Sequence, residues 1–116
     1  KEGADYTIKE ILYNTSYAEI EEKSKLILRG FAIYLNQNPS LKVEIQGHTD
    51  DVGVPSENLE LSKNRAKNVM NYLVSKGVSK TRLSSQGFGQ TKPKVPNNST
   101  KNRALNRRTD FVIKQI

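Results

Sequence analysis

Six consecutive residues, Leu-Lys-Val-Glu-Ile-Gln at 41–46, alternate apolar and polar without a break. In a β-strand successive side chains point to opposite faces, so Leu41, Val43 and Ile45 share one face and Lys42, Glu44 and Gln46 the other. Only one face of this strand can meet a core, and whatever covers it must pack on a single side of the sheet. The periodicity changes on both flanks. Ile20, Ile27, Phe31, Tyr34 and Leu35 recur at helical spacing in a predicted helix from Glu21 to Asn38. Pro39 stops it, because proline has no amide to donate and disfavours α conformation at the residue before it. After the strand, Ala66, Val69, Met70, Leu73 and Val74 form a second helical stripe. Ser56 reads as its N-cap, Glu57 and Glu60 as acidic residues favoured by the helix dipole, and Gly77 as its C-terminal cap.

Weaker patterns complete the chain. Tyr6 to Leu12 is rich in β-formers, and RLSSQGFG at 82–89 reads as a short strand. QTKPKVPNNST is a polar, proline-bearing loop, Thr100 caps a short helical turn through KNRALN, and RRTDFVIKQI closes the chain as a strand. The order is β-α-β-α-β-(short α)-β, and strands separated by helices of this length require at least one parallel crossover. The expected fold is an α/β two-layer sandwich: a small mixed sheet with helices on one face. A chain of 116 residues makes one domain with one core, residues 1–116, and a start at Lys1 rather than Met reads as a piece excised from a longer protein.

Composition narrows the chemistry. The absence of cysteine excludes disulfides and cysteine-based metal or nucleophile sites. No apolar run approaches the roughly 18–20 residues that span a bilayer. Nineteen Lys and Arg against twelve Asp and Glu give a net charge of +7, which suits a polyanion, an anionic lipid surface, an acidic polymer or simply a solubilising surface. Nucleic-acid binding wants aromatics interleaved with the basic residues. Near the basic segment NRALNRR there are only Phe88 and Phe111, the latter a core candidate, so no nucleic-acid partner is expected.

The chain's one histidine stands in EIQGHTDDVG, where Gly47 is expected to end the strand and His48, Asp50 and Asp51 to sit in the loop. A catalytic zinc takes three protein ligands, usually more than one of them histidine, so no metal and no cofactor are expected. No nucleophile motif accompanies the serines, and no catalytic residue is expected. His48 reads instead as a hydrogen-bonding loop residue at a strand end. Asn58, Leu61, Ser62 and Arg65 fall at i, i+3, i+4 and i+7 and share one helical stripe, just after the loop that carries Asp50. Two readings follow. Asp50 and Arg65 could flank a cleft for a zwitterion, with Asp50 accepting from an ammonium and Arg65 gripping a carboxylate with two parallel bonds. Backbone amides at the helix start would add donors to that carboxylate. Alternatively the two side chains pair with each other and staple the loop. Spacing alone leaves both open.

GHTDDVG, NLELSKNRA, GFGQTKP and NRALNRR, in this order and with the Asp50-to-Arg65 spacing, resemble the OmpA-like peptidoglycan-binding domain. The resemblance runs from ILYNTSYAEI to RRTDFVI. It implies a β-α-β-α-β-β domain without enzymatic activity that binds peptidoglycan non-covalently. The group held is the diaminopimelate of the stem peptide, and the domain anchors an outer-membrane protein to the wall from the periplasmic side. Membrane contact would come only through the rest of the parent protein. By position, Asp50 takes the diaminopimelate ammonium and Arg65 its carboxylate, Asn58 lines the site, and Arg107 is the first arginine of the N-R-R motif. Thr49 of G-H-T-D joins the ligand residues, as do Asn14 and Thr15, with Asn14 standing where the family often has aspartate. Leu61 and Ser62 are implied in helix packing, and Arg103 and Arg108 as structural ion-pair partners.

Overall fold

The computed structural model describes residues 4–8, 20 and 22–115. Among the described residues four strands and three helices alternate: β1 (Ala4–Ile8), α1 (Glu22–Gln37), β2 (Leu41–His48), α2 (Pro55–Ser75), β3 (Leu83–Gly89), α3 (Thr100–Asn106) and β4 (Arg108–Gln115), with a 3₁₀ turn at Lys80–Arg82 before β3. The sheet order is β1-β4-β2-β3; β2 and β3 run parallel, and β4 is antiparallel to both β2 and β1. This is the two-layer sandwich with a mixed sheet expected from the periodicity, and α2 is its parallel crossover. The predicted first strand, Tyr6 to Leu12, is β1 at Ala4–Ile8, and residues 9–12 lie outside the described residues.

The core forms where the alternating strand face meets two helices. Leu41, Val43 and Ile45 of β2 and Phe111 and Ile113 of β4 pack against Leu28, Ala32 and Leu35 of α1 and Ala66, Val69 and Leu73 of α2. The buried line of α1 is therefore 28-32-35, one residue round from the predicted stripe. Ile27 and Phe31 lie on its flank, and Tyr34 is 41% exposed. Phe31 reaches inward from that flank, its ring edge-on to Phe111 at 4.9 Å between centroids.

Element ends show which local signals prevailed. At the start of α2, Val54 occupies the N-cap with no side-chain bond and Pro55 follows at the first helical position, so Ser56 is inside the helix and does not cap it. Proline suits that position because its missing N–H would have been an orphan donor anyway. Gly77 does terminate α2. At φ +97° it donates its N–H to Val74 O, while Val78 N–H reaches Leu73 O, the paired bonds of a Schellman motif. Ser99 rather than Thr100 caps α3, its Oγ accepting from Asn102 N–H at 3.0 Å. The end of α1 is closed from a distance. Arg82 donates through Nη2 to Leu35 O and Asn38 O and through Nε to Leu41 O, tying the last turn of α1 and the turn after it to the start of β2.

The main departure concerns Gly47. It does not end β2, which runs through it to His48, with a register shift against β3 between these two residues. Glycine is there for proximity. A Cβ on Gly47 would lie 2.3 Å from Ser62 O, and one on Gly87 2.3 Å from Lys63 N, so the backbone of α2 rests on the backbones of β2 and β3. Ser62, itself buried, completes the contact: its Oγ accepts from Gly89 N–H at 2.9 Å and donates to Leu59 O at 2.8 Å.

Gly87→Ala should therefore lower the unfolding free energy in urea by about 3 kcal/mol, because two backbones must separate to admit one methyl. Gly30→Ala in α1, where a Cβ meets nothing within 4 Å, should raise it by about 0.5–1 kcal/mol. Equal effects at the two positions would contradict this packing.

Candidate functional site

The carboxyl ends of the parallel strands β2 and β3 and the amino end of α2 converge on the loop 49–54. Thr49 continues the strand pairing by donating its N–H to Gly89 O at 2.9 Å, and its Oγ1 donates to Asp50 O at 2.8 Å. Asp50 is buried, at 7% exposure, and its carboxylate is engaged on both oxygens. Oδ1 accepts Val52 N–H at 3.0 Å, the local turn that aspartate favours. Oδ2 accepts from Arg107 Nη1 at 2.6 Å. Asn58, in the first turns of α2, donates its amide to Val52 O and to Gln90 Oε1, so it joins the loop to the segment after β3.

Arg65 lies half-buried two turns further along the same stripe of α2. The partner that Asp50 has in the structure is Arg107, not the Arg65 of the stapling alternative. Asp51 pairs with Arg103 at 3.0 Å. The two arginines are four apart on either side of the end of α3, so they point the same way and meet the two consecutive aspartates. Asn106, between them and fully buried, holds the proline-bearing loop. Its Oδ1 accepts from the N–H groups of Lys94 and Val95, and its Nδ2 donates to Val95 O and Asn97 Oδ1. Asn14 and Thr15 lie outside the described residues.

His48 turns the other way. It is buried on the face of the sheet away from α1 and α2, its ring stacked on Phe88 at 5.3 Å between centroids and 13° between planes. Its Nε2 is 3.5 Å from Asp110 Oδ2, an approach too poor for a hydrogen bond, and neither ring nitrogen has a hydrogen-bond partner among the described residues. The expected hydrogen-bonding loop residue is thus a strand residue held by stacking. Arg108 donates to Asp110 Oδ2 at 3.0 Å beside it. Burial, helped by the Arg108 charge and opposed by Asp110, pushes the His48 pKa down to about 4. At neutral pH the ring is uncharged. His48 and Asp50, neighbours but one in sequence, face different partners and do not form a joint site.

Asn106, which organises this region, was invisible as such in the sequence, and Ser62 was placed there only in helix packing, through the resemblance. Their partners lie across the fold. The one available signal was the pair of glycines around Phe88, since glycine inside a strand marks a bulge or a close backbone approach.

The profile of the OmpA family matches residues 12–107. The chain belongs to the OmpA family. Outer membrane porin F of Pseudomonas aeruginosa is 31% identical over 105 residues, covering 90% of this chain and 30% of the porin. The peptidoglycan-associated lipoprotein of Pasteurella multocida is 39% identical over 88 residues, covering 72% of this chain and 59% of the lipoprotein. Among solved structures, a putative MotB-like protein from Desulfovibrio vulgaris superposes with a TM-score of 0.88 at 29% identity, covering 97% of this chain and 73% of that one. The OmpA-family chain thus spans under a third of the porin and under two thirds of the lipoprotein it matches.

The buried, neutral His48 gives a pH signature. Its folded pKa is depressed below the ordinary 6.5, so the stability it confers is complete above pH 6.5 and is lost as pH falls towards 4. Across that window the unfolding free energy should fall with a slope steeper than that of His48→Gln by up to about 1.4 kcal/mol per pH unit. Parallel pH profiles for the two proteins would show that the histidine is not held neutral.

Proposed function

We propose that this OmpA-family chain is a non-enzymatic module that binds peptidoglycan through the diaminopimelate of the stem peptide. Asp50 accepts hydrogen bonds from the ligand's ammonium, and Arg65 holds its carboxylate with two parallel bonds. Asn58, Thr49 and Arg107 complete the described part of the site, and Asn14 and Thr15 are assigned to it from the sequence resemblance. Through this contact the chain anchors a larger outer-membrane-associated protein to the wall on the periplasmic side. A relative whose name marks it as peptidoglycan-associated and another named as an outer membrane porin support this reading.

The observation that carries the proposal is the placement of Asp50. A carboxylate is buried at the mouth of a loop that the amino end of α2 closes, and Asn58 and Arg65 share the stripe of α2 that begins there. Carboxylate and guanidinium are what the two ends of a zwitterion require. Charge-assisted bonds shielded from water contribute roughly 1.5–3 kcal/mol each, enough for moderate affinity to one stem peptide. Repeated attachment to a polymer raises retention through effective concentration. Arg103, Arg107 and Arg108 of the basic C-terminal segment are engaged with aspartates of the same chain, so this segment is not a ready site for a polyanion.

Calorimetric titration with muropeptides decides the matter. Those ending in diaminopimelate should bind at least about tenfold more tightly than those with lysine, which offers an ammonium and no carboxylate. Asp50→Ala and Arg65→Ala should each weaken binding by about tenfold to a hundredfold. Arg65→Lys should not restore it, since an ammonium cannot make the two-pronged contact. Equal affinity for both ligands, or binding indifferent to these substitutions, would refute the mechanism.

A further inference from the structure

An ammonium arriving at this site does not meet a bare carboxylate. Val52 N–H occupies Oδ1 of Asp50, and the Arg107 guanidinium occupies Oδ2 at 2.6 Å. The Asp50 side chain is only 10% exposed, while that of Arg107 is 49% exposed and so covers the carboxylate from the solvent side. A ligand can leave the Val52 bond in place, and each oxygen keeps a second lone pair, but with only 10% of the Asp50 side chain exposed the ammonium's way in is the position that Arg107 holds. Resting on the function proposed above, we propose that Arg107 is its specificity-determining residue: an internal cation that fills the ammonium position of the empty site and yields only to a ligand that brings a carboxylate as well.

The exchange needs no movement of the backbone. Arg107 N–H is fixed to Arg103 O at the end of α3, and Arg103 keeps its own pair with Asp51, so α3 stays on the loop while one side chain rotates. Asn106, the residue just before Arg107, is buried in four hydrogen bonds to the loop after β3. Counting ion pairs gives the selectivity. With no ligand there is one pair at Asp50. A ligand with an ammonium alone replaces that pair by another and sends a guanidinium back to water, with no net gain. A zwitterion takes Asp50 with its ammonium and presents a carboxylate to the released guanidinium, alongside Arg65, so the number of pairs rises. Arg65 by itself would reward the carboxylate; Arg107 in addition penalises its absence.

The two contributions separate in a titration of the chain and two variants with diaminopimelate-type and lysine-type muropeptides at one salt concentration. Arg107→Gln removes the competitor, so the lysine-type ligand should bind about tenfold more tightly than to the unmodified chain, with the diaminopimelate-type ligand changed less. Arg107→Lys keeps an internal cation and should retain the original preference, which also guards against a loss of folding in the glutamine variant. An Arg107→Gln protein with unchanged preference, or one that binds both ligands equally weakly, overturns the exchange while leaving the Asp50–Arg65 reading standing. If the unmodified chain binds neither muropeptide, the proposed function and the exchange fall together.

Discussion

Direct contact between the backbone of α2 and the backbones of β2 and β3 is the constraint on which the rest depends. Gly47 and Gly87 leave no room for a Cβ under Ser62 and Lys63, so the helix lies against the sheet with nothing between them. Ser62 converts that proximity into hydrogen bonds, accepting from Gly89 N–H and donating to its own helix at Leu59 O. The depth of α2 follows, and with it the position of its first turns against the loop 49–54. A helix raised by one side-chain layer would leave Asn58 unable to reach both Val52 O and Gln90 Oε1. The core under the middle of α2, built from Ala66, Val69 and Leu73, then fixes its rotation and so the stripe on which Arg65 stands.

A second set of contacts closes the site from the other side. Consecutive aspartates in the loop meet two arginines from the end of α3, and a buried asparagine beside them gathers the loop that follows β3. Polar groups that are buried and fully engaged give a definite geometry, because an unmade bond in such a place costs more than a made one contributes. The loop is therefore organised by the chain's own contacts, and the partner exchange proposed above would take place within that frame. His48 supports this frame from the far face of the sheet, as an uncharged ring stacked on Phe88.

Much of the architecture was legible because periodicity is a local property. The alternation at 41–46 and the helical stripes at 27–35 and 66–74 lead to the sheet, the two helices and the side on which they pack. Misreadings arose where two local rules compete or where a partner is remote. A glycine after an alternating run signals either a stop or a close approach, and at Gly47 only the position of α2 decides. Ser56 has the better capping chemistry, yet Pro55 claims the first helical position. Asp50, Asn58 and Arg65 could be placed in one region from motif and spacing, whereas the bond from Arg107 to Asp50 spans 57 residues and leaves no trace in any short window. The same holds for Arg82, which closes α1 from the turn before β3.

A structure of the chain with diaminopimelate bound tests the central claim most directly. The account predicts the ligand's side-chain ammonium within hydrogen-bond distance of the Asp50 carboxylate, its neighbouring carboxylate on the guanidinium of Arg65, and Arg107 turned away from Asp50. A ligand seated elsewhere, with the bond from Arg107 to Asp50 still intact, would contradict it.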